Sequence, residues 1–137
     1  MPARSFARWM ERRILGSQVR PPAQVASALK QIFGESIEHI QVFETSAYAR
    51  WHAGARATTR RDRIFLSCPA AQFWSDPELV LHEYFHVLRQ WQTQRLTKLT
   101  YAAELLRNGY WLNRFEIEAR HFAAEHREIL RQLLRHP

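Results

Sequence analysis

With a single cysteine, Cys68, the chain cannot form an internal disulfide, and its thiol content calls for no oxidising compartment. It has no apolar run approaching the roughly 20 residues needed to cross a bilayer, so no membrane partner is expected. The basic, amphipathic stretch Met1 to Gly16 is interrupted by Glu11, Arg12 and Arg13, where a signal peptide needs an unbroken apolar centre. These absences point to a cytoplasmic protein, or to one exported by a route the sequence does not display. Internal repeats and low-complexity segments are also lacking. Lysine and aspartate are nearly missing, limited to Lys30, Lys98, Asp62 and Asp76, so the formal charge of +7 rests on arginine against glutamate. That surplus favours anionic partners, but it is scattered among Arg4, Arg8 and Arg12, Arg60, Arg61 and Arg63, and Arg127, Arg131 and Arg135. Without a concentrated patch, nucleic acid is not an expected partner.

The 137 residues, 46% hydrophobic and 12% aromatic, are enough for one globular domain with a sizeable core. Its expected span is residues 21–137, with residues 1–20 a helical extension and Ser17 to Pro22 a linker. The most informative segment is Leu79-Val80-Leu81-His82-Glu83-Tyr84-Phe85-His86-Val87-Leu88, an HExxH motif in an uncharged helical setting. Residues four apart share one helix face, so the two imidazoles can converge on a single tetrahedral Zn²⁺. Glu83, next to His82, is placed to take a proton from water at that metal, the general-base role of this motif in metallopeptidases. Burying two histidines and a glutamate with no metal would leave polar groups to satisfy.

Around the motif the pattern is mostly helical. Pro21-Pro22 open a helix with Val25, Leu29, Ile32 and Phe33 on one face and Gly34 as its stop. Ile37 to Phe43 reads as a strand and Ser46 to His52 as a short helix ending near Gly54. Two β-compatible runs, Ala55 to Thr59 and Arg63 to Ser67, flank Arg60-Arg61-Asp62 and predict a hairpin. The motif helix starts with either a Ser75/Glu78 capping box or Asp76 as N-cap before Pro77, and should run to about Gln94. Helices from Thr97 to Leu106 and from Asn113 to Leu134 complete the chain, giving an α+β domain with a small sheet packed on the motif helix.

A catalytic zinc site usually has three protein ligands. A metzincin would place glycine and histidine three and six residues after His86, where this chain has Arg89 and Gln92. The remaining common solution is a glutamate from a later helix. Glu116, Ala119, Phe122 and Ala123, read as E-x-x-A-x-x-F-A, resemble the helix that delivers the metal-binding glutamate in gluzincin-type peptidases. Upstream, Phe33-Gly34-Glu35-Ser36-Ile37, Ala57-Thr58-Thr59 with Ile64-Phe65-Leu66, and Leu81-His82-Glu83 follow the segment order of a family of bacterial zincin-like domains, the DUF4157 group, whose members often occur beside toxin or secretion-associated domains. The resemblance covers roughly residues 21–125 and implies a compact zincin-like domain with one Zn²⁺ per chain, held by His82, His86 and a glutamate. Glu116 is the expected third ligand and Glu118 the alternative, although Asn113-x-x-Glu116 also has capping-box spacing. Many gluzincins carry an aspartate four residues after the ligand glutamate to orient the first histidine; this chain has Arg120 there. In zincin folds a substrate runs along the edge strand above the motif helix, which implies a peptide or protein substrate lying on Ala57, Thr58 and Thr59.

Two functions fit these features. The first is a small zinc-dependent metallopeptidase with Glu83 activating water. The second is a non-catalytic zincin-fold module that binds metal and a partner protein. Tyr101 and Tyr110 offer phenols to an oxyanion, although aromatic packing is the expected role of each. His121, with Glu125 and His126, is expected on a solvated helix face. His39, His52 and His136 have no partner pattern.

Overall fold

The computed structural model describes residues 3–51 and 55–136; His52, Gly54 and the side chain of Arg4 lie outside the described residues. Helix α1 (Ala3–Leu15) ends at Gly16, whose φ of 91° turns the chain so tightly that a Cβ there would sit 2.1 Å from the Glu44 carbonyl oxygen. Only glycine fits both demands. The turn lays β1 (Ser17–Val19) antiparallel on β2 (Gln41–Glu44), so half of the expected linker is a strand of the sheet. Helix α2 (Ala23–Phe33) buries Val25, Leu29 and Phe33 and stops at Gly34, which has φ 72° and donates its N–H to the Lys30 carbonyl.

The strand expected from Ile37 is displaced to 41–44. Ile37 and Ile40 are buried, but from a turn in which the Ile40 N–H reaches the Ile37 carbonyl at 3.0 Å. After α3 (Ala47–Trp51) come β3 (Ala57–Arg60) and β4 (Arg63–Leu66), antiparallel as the predicted hairpin, and β4 lies parallel to β2. The sheet order is β1-β2-β4-β3, which leaves β3 at an edge. Strand alternation sorts the two faces. Val42, Ile64, Leu66 and Ala57 join the helical core, while Phe43 and Phe65 stack on the other face and Tyr48 of α3 meets Phe65 edge-on.

After α4 (Ala70–Trp74), helix α5 (Pro77–Phe85) begins with Asp76 as N-cap, accepting from the Leu79 N–H at 3.2 Å, and Pro77 in the first turn. Ser75 turns back to the Gln72 carbonyl and Glu78 pairs with Arg127, so the alternative capping box does not form. The helical run continues to Trp91, short of Gln94, and it widens: His86–Trp91 is a π-helical turn in which the Gln92 N–H bonds to the Val87 carbonyl. Helix α6 (Lys98–Asn108), capped by Thr97 and Thr100, buries none of its side chains. Helix α7 (Arg114–Arg135), capped by Asn113, packs along α5 through the fully buried Ala119 and Ala123. The result is a compact, mostly helical α+β chain with a small mixed sheet.

Candidate metal centre

His82 and His86 project from one side of the α5 run, as their spacing requires, and their Nε2 atoms lie 3.0 Å apart. From α7, Glu116 brings Oε2 to 3.0 Å from His82 Nε2 and 3.4 Å from His86 Nε2. The approach is possible because Ala119 and Ala123, three and seven residues on along the same face, carry only methyl groups between the helices. A tetrahedral zinc ion with bonds of about 2.0–2.1 Å keeps its ligand atoms roughly 3.3 Å from one another. The three atoms here are already near that spacing, and a His₂Glu donor set suits zinc and other divalent first-row ions alike.

Two neighbours fix the donors in place. His86 Nδ1 lies 2.6 Å from Oε1 of the buried Gln90, whose amide donates to the Phe115 carbonyl at 2.9 Å and to Glu118 at 3.2 Å. Because the Phe115 carbonyl can only accept, it fixes which end of the Gln90 amide is nitrogen. The Gln90 oxygen therefore accepts a hydrogen bond from His86 Nδ1–H, which leaves Nε2 as the ring nitrogen that faces Glu116 and His82. On the other side the Tyr101 hydroxyl donates to Glu116 Oε1 at 3.1 Å, so Tyr101 is not merely a packing residue. Glu118 turns away to Arg95, at 2.8 and 3.1 Å, and belongs to the support of Gln90. Asn113 caps the Phe115 N–H at 3.0 Å, so Glu116 forms no capping box with it. Arg120, in place of the aspartate, donates to the Trp111 carbonyl and sits over its ring. The orienting contact to a histidine comes instead from Gln90. Its position four residues after His86 was a legible clue of the same kind as the motif.

The electrostatics divide the carboxyls. Burial raises the Glu83 pKa, the nearby His86 and His82 offset that only in part, and Glu116 adds to the rise. Glu116 is pushed the other way: burial alone would raise it, but hydrogen bonds from His82 and His86 hold it well below the usual carboxylate range. Burial disfavours a charged His86, yet the Glu116 contact outweighs it and its pKa is raised. Burial, followed by the charges of Glu116 and Glu83, pushes the Tyr110 phenol up to about 12.

His82 and Glu83 line a cleft of about 400 Å³ together with Arg56, Ala57, Leu79 and Tyr110. Ala57 is buried beside it, and Thr59, on the same strand face, accepts from Trp91 Nε1 at 3.2 Å. The Ser67 N–H donates to the Arg56 carbonyl at 2.9 Å. Hydrogen-bonded pairs alternate along an antiparallel ladder, so Thr58 turns its backbone groups to Phe65 of β4 while those of Ala57 and Thr59 face the open edge. Among the described residues, His121 pairs with Glu125 on the exposed face of α7, His126 stacks on Phe122, and His39 bonds to Gln92.

No curated protein and no solved structure matches the chain. The family model of the eCIS core domain matches residues 20–94, compatible with the DUF4157 resemblance; the span includes His82, Glu83, His86 and Gln90 and stops short of Glu116. As this match takes in more than half of the chain, the chain belongs to the eCIS core domain family.

Proposed function

We propose that this chain is a small zinc-dependent metallopeptidase of zincin-like, gluzincin type that hydrolyses peptide bonds. The observation that carries the reading is the convergence of His82 Nε2, His86 Nε2 and Glu116 Oε2, with pair distances of 3.0 to 3.4 Å, where His82 also lines a cleft that includes Ala57 of the edge strand. These three residues would hold zinc, which when bound supplies a Lewis acid for a peptide carbonyl and lowers the pKa of a water. Gln90 and Tyr101 keep the His86 ring and the Glu116 carboxylate aimed. Glu83 lies in the cleft beside His82, where its carboxylate takes the proton of the attacking water and passes it to the leaving amine. Burial raises its proton affinity toward what that shuttle needs. The polypeptide lies extended along Ala57 to Thr59, with the outward backbone groups of Ala57 and Thr59 as its partners. Tyr110 faces the same cleft and offers its phenol O–H to the carbonyl oxygen.

A second reading, a metal-binding zincin-fold module that holds a partner protein, draws support from the exposed Leu106, Trp111 and Leu112, on α6 and the turn that carries Tyr110. One comparison separates the two. Glu83→Gln should keep one zinc per chain by elemental analysis and lose cleavage of a peptide library, because the amide cannot accept the proton. Equal, negligible cleavage by zinc-loaded wild type and Glu83→Gln would select the binding module. Absence of stoichiometric metal that His86→Ala removes would end both readings.

A further inference from the structure

The candidate metal centre makes no use of α1. Every described side chain from Phe6 to Ile14 is exposed, including Phe6 at 59%, Trp9 at 49%, Met10 at 41% and Ile14 at 37%. At about 100° per residue these four fall within an arc of roughly 140°. Arg8, Glu11 and Arg12 occupy the opposite side, and the helix sequence holds four arginines to one glutamate. Arg13 falls inside the apolar arc, with its guanidinium 4.6 Å above the Trp9 ring. A water-facing helix has no need of such an aromatic stripe, and so large an exposed apolar face marks an interaction surface.

We propose that α1 docks this protein flat on an anionic lipid surface. None of the described helices is long and apolar enough to cross a membrane; α1 has the build of one that lies on it. Phe6, Trp9, Met10 and Ile14 enter the boundary between headgroups and acyl chains, while Arg8 and Arg12, on the side turned to water, stay within about a Debye length of the anionic surface and are drawn to it. Arg13 decides between a bilayer and a second copy of the chain. In a contact between two apolar faces it would be buried against its own counterpart, whereas at a lipid interface its long stem lets the charge reach the headgroups. Trp51, 74% exposed on α3, against which α1 packs, adds an aromatic of the kind enriched at such boundaries.

The test is flotation of the full chain with vesicles of phosphatidylcholine alone and of phosphatidylcholine containing about one third phosphatidylglycerol, at low salt. Binding is expected to the anionic vesicles and not to the neutral ones. Arg8→Gln with Arg12→Gln should weaken it by about fivefold for each arginine removed, and Trp9→Ala with Phe6→Ala should weaken it by more than tenfold, the order set by two buried aromatics. Because these side chains are exposed, circular dichroism melts of the variants should match wild type, so lost flotation reports the surface and not the fold. Failure to float with anionic vesicles, equal flotation with neutral ones, or binding that survives the aromatic double variant would overturn the proposal. So would a dimer in sedimentation equilibrium that Trp9→Ala dissolves, which would assign the face to a second copy.

Discussion

At Glu116 two local rules compete for one side chain. Its spacing from Asn113 suits a helix cap, but Asn113 meets the Phe115 N–H by itself and Glu116 is left to face His82 and His86. Glu118, two residues on and so about 200° round the helix, points to Gln90 and Arg95. Glu116→Ala should therefore lower zinc affinity far more than Glu118→Ala, which loosens only the support behind Gln90, an effect of about 10- to 100-fold in comparable sites. Competition titration with a chromophoric chelator gives both constants, and equal losses would mean that α7 as a whole had shifted. A second consequence concerns Glu83, whose carboxyl binds its proton more tightly in the folded chain than at the ordinary value of 4.5. The stability it contributes is complete below that value and is lost as pH rises through the raised pKa. Glu83→Gln cannot ionise. In chelator its melting temperature should match wild type near pH 4 and exceed it by a few degrees at pH 7.

Among the elements, those marked by caps were legible. Asp76-Pro77, Thr97 and Asn113 each start a helix where the sequence indicated, because a cap is a local bargain between one side chain and one backbone N–H. The strands were harder. Ser17 to Val19 is too short to show alternation, and its place in the sheet depends on Gly16 passing under the Glu44 carbonyl, a long-range fit. Ile37 and Ile40 supply buried apolar area that reads as strand although the backbone turns there. The π-helical turn was invisible because His86-Val87-Leu88-Arg89-Gln90-Trp91 holds no glycine or proline to mark a change of pitch. At the site the motif histidines could be read from spacing, but the link from Tyr101 to Glu116 spans two helices and appears only once α6 and α7 are placed. The hairpin was both legible and oriented by its register. Ala57→Pro removes a donor on the open edge and should weaken peptide binding several-fold in fluorescence anisotropy while zinc content is unchanged. Thr58→Pro breaks the ladder to Phe65 and should instead lower the melting temperature. An Ala57→Pro protein that is folded, zinc-loaded and binds peptide as wild type does would exclude β3 as the substrate edge.

Across the whole molecule, the three converging residues tie together parts of the chain that are remote in sequence. His86 and Glu116 are 30 positions apart, and between them lies α6, which buries no side chain and reaches inward through the Tyr101 hydroxyl on Glu116. On the proposed reading, an ion shared by α5 and α7 would act as a clasp that closes this loop, offsetting loop-closure entropy with coordination bonds. At a free zinc concentration a hundredfold above the dissociation constant the clasp adds about 2.7 kcal/mol, and a chain of this size should melt roughly 10 °C higher than in chelator. The loss on chelation should be local before it is global. With Glu116 unclasped, Tyr101 loses its fixed acceptor and residues 98–112 are the first to open. Limited trypsin digestion in chelator should then cut after Lys98 and Arg107, and zinc should protect both sites while exposed arginines outside the loop, such as Arg61, are cleaved at the same rate with or without it.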